Sequence, residues 1–128
     1  MDTDVGKTIN GVTEVIIGCA YRIANILGHG FLEKVYENAL AHELKKEGCK
    51  FEKQKIIPVN YDGTVIGNYV ADMMVENSVL VELKTVKLLD NIHIAQCLNY
   101  LKATEIPVCL LLNFGLPKVE VKRIVNHF

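Results

Sequence analysis

The chain has 128 residues, half of them hydrophobic and 23% charged, the size and make-up of one globular domain with a single core. A formal net charge of −1 excludes a protein that coats nucleic acid non-specifically, while leaving open an enzyme with a local basic patch. No apolar run reaches the ~18 residues of a membrane span, and Met1 to Thr8 carry Asp2, Asp4 and Lys7 without an apolar signal core. A cytoplasmic address and no membrane partner are therefore expected.

Residues 1–9 are expected to form a flexible N-terminus and residues 10–128 a single domain. Asn10 is an N-cap candidate, and Val12, Val15, Ile16, Cys19, Ile23, Ile26 and Leu27 follow at helical spacing. Gly28 and Gly30 interrupt that pattern. A second helix then places Leu32, Val35, Tyr36, Ala39, Leu40 and Leu44 on one broad face and stops at Gly48. From Phe51 the period changes to that of strands. Phe51 to Tyr61 and Thr64 to Val75 flank the hairpin signal Asp62-Gly63, and Glu76-Asn77-Ser78 turns into the apolar strand Val79 to Lys84. Asp90 caps a helix to about Thr104. Pro107 to Phe114 is apolar enough for a strand covered on both faces, and Gly115-Leu116-Pro117 leads to a last strand, Val119 to Val125. The order α-α-β-β-β-α-β-β predicts an α/β fold, a mixed central sheet flanked by helices.

The cysteines Cys19, Cys49, Cys97 and Cys109 form no C-x-x-C pair and read as small hydrophobes in a reducing compartment. The histidines His29, His42, His93 and His127 lack zinc-ligand spacing. Lys45, Lys46, Lys50, Lys53 and Lys55 make a basic run, read first as a solvated helix end and strand edge and second as a phosphate contact.

The chemistry concentrates in the second and third strands. A three-residue loop at Glu76 to Ser78 would pair Val75 with Val79, Met74 with Leu80 and Asp72 with Glu82. Cross-strand partners share a face, and Lys84, two residues beyond Glu82, shares it too. Two ionised carboxylates at ~4 Å repel by about 4 kcal/mol at an effective dielectric near 20. A hard divalent cation relieves this, and oxygen ligands suit Mg²⁺ or Mn²⁺. Taken alone, such a pattern equally describes solvated surface charges. Two further features join it: Glu33 in Gly30-x-x-Glu33-x-x-Tyr36, and the polar stripe of His93, Gln96 and Tyr100 along the third helix.

The D-x9-E-L-K of Asp72, Glu82, Leu83 and Lys84 resembles the PD-(D/E)XK nuclease signature, with Ala71 where proline often precedes the aspartate. Gln96-x-x-x-Tyr100 is similar to the Q-x-x-x-Y motif of the RecB-like branch. Gly30-Phe31-Leu32-Glu33-Lys34-Val35-Tyr36 resembles the motif of the GxxExxY protein family, as do Gln96 to Leu101 and Leu111-Leu112-Asn113-Phe114-Gly115. The likeness runs from about residue 10 to the C-terminus. It implies a restriction-endonuclease-like core and a metal-dependent nuclease hydrolysing phosphodiester bonds of nucleic acid, DNA before RNA. Asp72 and Glu82 would ligate Mg²⁺ or Mn²⁺, with the Leu83 carbonyl as a further ligand and Glu33 completing the shell directly or through water. Lys84 would position the attacking water, and Gln96 and Tyr100 would orient the site or touch the phosphate. His29 is read as incidental. The competing reading is a non-catalytic binding or accessory module on the same fold. A homodimer is expected, because one small domain offers little surface to a duplex.

Overall fold

The computed structural model describes residues 8–126. Three helices, α1 (Ile9–Leu27), α2 (Glu33–Lys46) and α3 (Asn91–Thr104), accompany five strands, β1 (Phe51–Tyr61), β2 (Thr64–Val75), β3 (Val79–Lys84), β4 (Val108–Asn113) and β5 (Glu120–Val125). The strands form one sheet in the order β1-β2-β3-β4-β5. Only β3 and β4 run parallel, joined by the crossover through α3, so the sheet is mixed and the fold is α/β as the element order predicts.

Each face of the sheet has its own apolar layer. On one, Val12, Ile16 and Ala20 of α1 and Tyr36, Leu40 and Leu44 of α2 pack on Met73, Val81, Leu83, Leu110 and Leu112. On the other, Cys97 and Leu101 of α3 pack on Met74, Leu80, Cys109 and Leu111. Every residue of β4 is buried, which is why that strand reads as an unbroken apolar run. The β1–β2 turn places Asp62 and Gly63 at positive φ (54° and 77°), the backbone a two-residue hairpin demands. Among the described residues no helix is long and apolar enough to cross a membrane.

Two local expectations are corrected. Thr8, not Asn10, caps α1, its Oγ1 accepting from the Gly11 N–H (3.0 Å), and Asn10 instead accepts from Arg123 of β5. In α2, Leu32 is the N-cap and 79% exposed, and Val35 is exposed as well, so the buried stripe is narrower than apolar spacing suggests. The expected flexible stretch 1–9 falls mostly on residues 1–7, which lie outside the described residues; Ile9 is already helical.

The segment after β3 is clamped by the end of β4. The buried Asn113 accepts from Val86 N–H and Gly115 N–H (3.0 Å each) through Oδ1 and donates to the Val86 carbonyl (2.9 Å). Phe114 N–H donates to the Lys84 carbonyl (2.8 Å). A Cβ on Gly115 would meet the Val86 carbonyl oxygen at 2.3 Å and the Val86 nitrogen at 2.5 Å. Backbone cannot yield as a side-chain tip can, so Gly115→Ala should lower unfolding free energy by about 3 kcal/mol or more in urea titrations. A loss under about half a kcal/mol would mean that the 84–86 segment is not held this tightly.

Candidate active site

The site forms where two strands part. The β2–β3 ladder runs from Val75↔Val79 to Met73↔Val81 and stops there. Beyond it the N–H groups of Asp72 and Leu83 have no strand partner, and buried donors must find one. Each carboxylate serves the opposite strand: Glu82 Oε1 accepts from Asp72 N–H and Asp72 Oδ2 from Leu83 N–H, both at 2.8 Å. This reciprocal clasp holds the two carboxyl groups side by side. Since the N–H and C=O of one extended residue face the same strand edge, the Leu83 carbonyl lies on the clasp side as well.

Side-chain alternation breaks at the same point. Met73 and Val75 pack toward α1 and α2, but Ala71 joins Met74 in the α3 layer. In β1, Phe51 and Ile57 likewise fall in opposite layers although an even number of residues apart. Gln54 lies between them with φ 54°, its neighbours Lys53 and Lys55 pairing Met73 and Ala71 on either side of Asp72. A left-handed non-glycine residue costs on the order of 1 kcal/mol, a strain that concentrates at functional sites.

Electrostatics follow from burial. Glu82 is 3% exposed; desolvation, then the charge of Asp72, pushes its pKa up to about 8, opposed by the Asp72 N–H bond and Lys84. Asp72 is also raised, by burial first, with the Leu83 N–H bond pulling it down, Glu37 pushing it up, and Lys84 and Gln54 pulling it down. Lys84 therefore sits close enough to favour ionisation of both carboxyls. Tyr100 is buried and its hydroxyl is raised by desolvation and by Glu82 and Asp72. Its oxygen donates to the Val70 carbonyl (3.2 Å) and accepts from Gln96 Nε2 (2.9 Å).

Glu33 is the first residue of α2, exposed, and near enough to Glu82 to raise its pKa slightly. Among the described residues no three His, Cys, Asp or Glu side chains gather closely enough to hold an ion on their own. His93 is not turned to the clasp: its ring accepts from Asp90 N–H and closes the α3 capping box. Tyr36 is core, its ring stacked on Phe114 (4.5 Å) and its hydroxyl donating to the Gly28 carbonyl (2.6 Å), which ties down the glycine turn ahead of Glu33.

Sequence reading missed Glu37. It is 4% exposed, accepts from Gln54 Nε2 (2.9 Å) and Lys34 Nζ (3.3 Å), and lies 3.8 Å from Lys53 Nζ. The available signal was its position four residues after Glu33, on the same helix face. Gln54 left no signal. Of the basic run, Lys53 thus faces the site's border through Asn38 and Glu37, Lys55 pairs with Glu52 at 3.6 Å, and Lys46 with Glu43 at 3.6 Å.

Residues 10–124 match the family model of the PD-(D/E)XK nuclease superfamily. The chain belongs to that superfamily. Solved structures agree on the fold. The crystal structure of SSO0001 is 20% identical with a TM-score of 0.58, the match covering 93% of this chain and 60% of that one. The alkaline exonuclease LHK-Exo from Laribacter hongkongensis is 15% identical with a TM-score of 0.50, covering 90% of this chain and 82% of that one. This PD-(D/E)XK chain thus spans less than two thirds of the SSO0001 protein. No curated protein matches it.

Proposed function

We propose that this chain is a metal-dependent nuclease that hydrolyses phosphodiester bonds, with DNA as substrate and Mg²⁺ or Mn²⁺ as cofactor. The observation that carries the reading is the clasp: a buried carboxyl, Glu82, and a half-buried one, Asp72, each raised by desolvation, beside one lysine, in a chain of this superfamily. The donor set suits a small hard cation. Mg²⁺ needs only one or two carboxylates from a protein and takes its other ligands from water and substrate phosphate. Asp72, Glu82 and the Leu83 carbonyl would hold it, and exposed Glu33 would act through water. When bound, the ion supplies Lewis-acid polarisation of the phosphate and a more acidic water.

The chain's own groups supply the rest. Lys84 orients the attacking water and offsets the charge that develops on the phosphate. Tyr100, anchored on the Val70 carbonyl, and Gln96, bonded to Tyr100, form a fixed polar wall on the α3 side that orients the site or meets a phosphate oxygen. A homodimer belongs to this reading.

The test is cleavage of linear duplex, circular duplex and single-stranded DNA and of RNA, with Mg²⁺, with Mn²⁺ and with chelator. Cleavage of DNA that needs the metal is expected. The net charge of −1 favours one competitor, an accessory module that lacks catalysis. Binding of DNA with no cleavage under any metal would establish that competitor instead.

A further inference from the structure

The hairpin of β1 and β2 outgrows the sheet. Its strands have 11 and 12 residues, against 6 in β3, and β3 covers β2 only from Met73 to Val75. Residues 56–70 contain one charged side chain, Asp62 at the turn. Ile56, Tyr61, Val65, Ile66, Tyr69 and Val70 are between 44 and 71% exposed there. An uncharged apolar surface on this scale marks an interaction site.

The two edges of this hairpin differ. The free edge of β1 carries Lys53, Lys55 and Pro58, the residues that discourage strand pairing. The opposite edge, along Thr64-Val65-Ile66-Gly67-Asn68-Tyr69 of β2, has no charge and no proline, and among the described residues no strand pairs with it. Past Tyr69 the edge is closed, because Tyr100 takes the Val70 carbonyl and Glu82 takes the Asp72 N–H.

We propose that this edge is the homodimer interface: residues 64–69 of β2 pair antiparallel with the same segment of a second copy about a two-fold axis. A strand paired antiparallel with its own copy closes on itself, so one patch serves both subunits. Near-neutrality makes that self-contact free of like-charge repulsion, with Asp62 displaced to the turn. A phosphate polymer would find no cation on the hairpin between residues 56 and 70, although Lys102 of α3 lies beside Val59, Asn60 and Tyr69, and a lipid surface would leave the strand edge unpaired. Val65, Ile66 and Tyr69, half-exposed side chains of the pairing segment itself, would be covered along with the strand backbone, while Ile56 and Tyr61 lie one strand further back on β1. The proposal specifies the dimer of the reading above and does not depend on cleavage.

Sedimentation equilibrium of the full chain tests it, alongside Ile66→Lys and Val65→Lys, both at exposed positions where the monomer fold tolerates charge. Wild type should show twice the 14.3 kDa chain mass. Each lysine, meeting its own copy across the axis, should raise the dimer dissociation constant roughly 100-fold or more with an unchanged circular dichroism spectrum. A monomeric wild type would overturn the dimer. A wild-type dimer untouched by both lysines would place the interface elsewhere, and sedimentation of monomers with anionic lipid vesicles would make the patch a membrane contact. Absence of cleavage in a protein that dimerises through these residues would sink the nuclease reading alone.

Discussion

In chelator at pH 9, Glu82→Gln should melt about 10 °C above the wild type. Glu82 is buried beside Asp72, and its pKa is pushed up to about 8 by burial first and by Asp72 second. In the unfolded chain it ionises near its ordinary 4.5. Between those two values the folded state holds a proton that the unfolded state has released, so stability falls as pH rises across this window. Below it the group costs nothing; above about pH 8 the full cost is present, on the order of 4 kcal/mol. Asp72, raised in the same direction, adds to the slope. The Gln variant keeps an oxygen to accept from Asp72 N–H and has no proton to lose, so its curve should stay flatter from pH 5 to 9. At about 3 °C per kcal/mol for a domain of this size, the gap reaches the stated value. Mn²⁺ should close it, raising the wild type far more than the variant, because the ion binds the folded state only. Parallel melting curves across this pH range would mean that Glu82 is not the strained carboxyl the geometry describes.

Lys84→Ala and Asp72→Asn should both abolish most cleavage, yet separate on metal binding. On the proposed reading Lys84 is no ligand; its charge acts on both carboxyls and would face the charge that grows on the phosphate. Removing a group aimed at developing charge costs a factor of about 10²–10³ in kcat. Lys84→Ala should therefore lose that much rate while keeping the Mn²⁺-induced rise in melting temperature. Asp72→Asn should lose the rate and most of that rise, since one of the two side-chain ligands is gone. Both residues lie at the rim of the site, half-buried, so urea midpoints near wild type should show that the fold persists. Equal cleavage by wild type and Lys84→Ala would trace the activity to a contaminant or to another site.

Much of this molecule is written locally. Alternation, turn residues and apolar runs placed all eight elements, because each reports a single segment's periodicity. The three-residue turn at Glu76 to Ser78 set the β2–β3 register as far as Met73 and Val81, as expected. The pairing expected of Asp72 with Glu82 is not part of the ladder, because the strands part there and the Glu82 side chain takes the Asp72 N–H instead. Periodicity also misled where burial depends on a neighbour. Leu32 and Val35 sit on the apolar stripe of α2, but no element covers them and they stay exposed.

What the tertiary structure alone decided lies at the parting of β2 from β3. Whether Asp72 and Glu82 would be solvated charges or a partly desolvated pair depended on two strands diverging after Met73 and Val81, which leaves the Asp72 and Leu83 N–H groups for the carboxylates. The left-handed Gln54, the buried Glu37 beneath it and the Asn113 clamp behind Lys84 belong to the same class. Each is a contact between residues distant along the chain, satisfying a donor or charge that only the assembled sheet leaves open. The sequence by itself specified which groups could do chemistry and on which strands. Desolvation and unpaired backbone, properties of the packed molecule, determined how those groups are held.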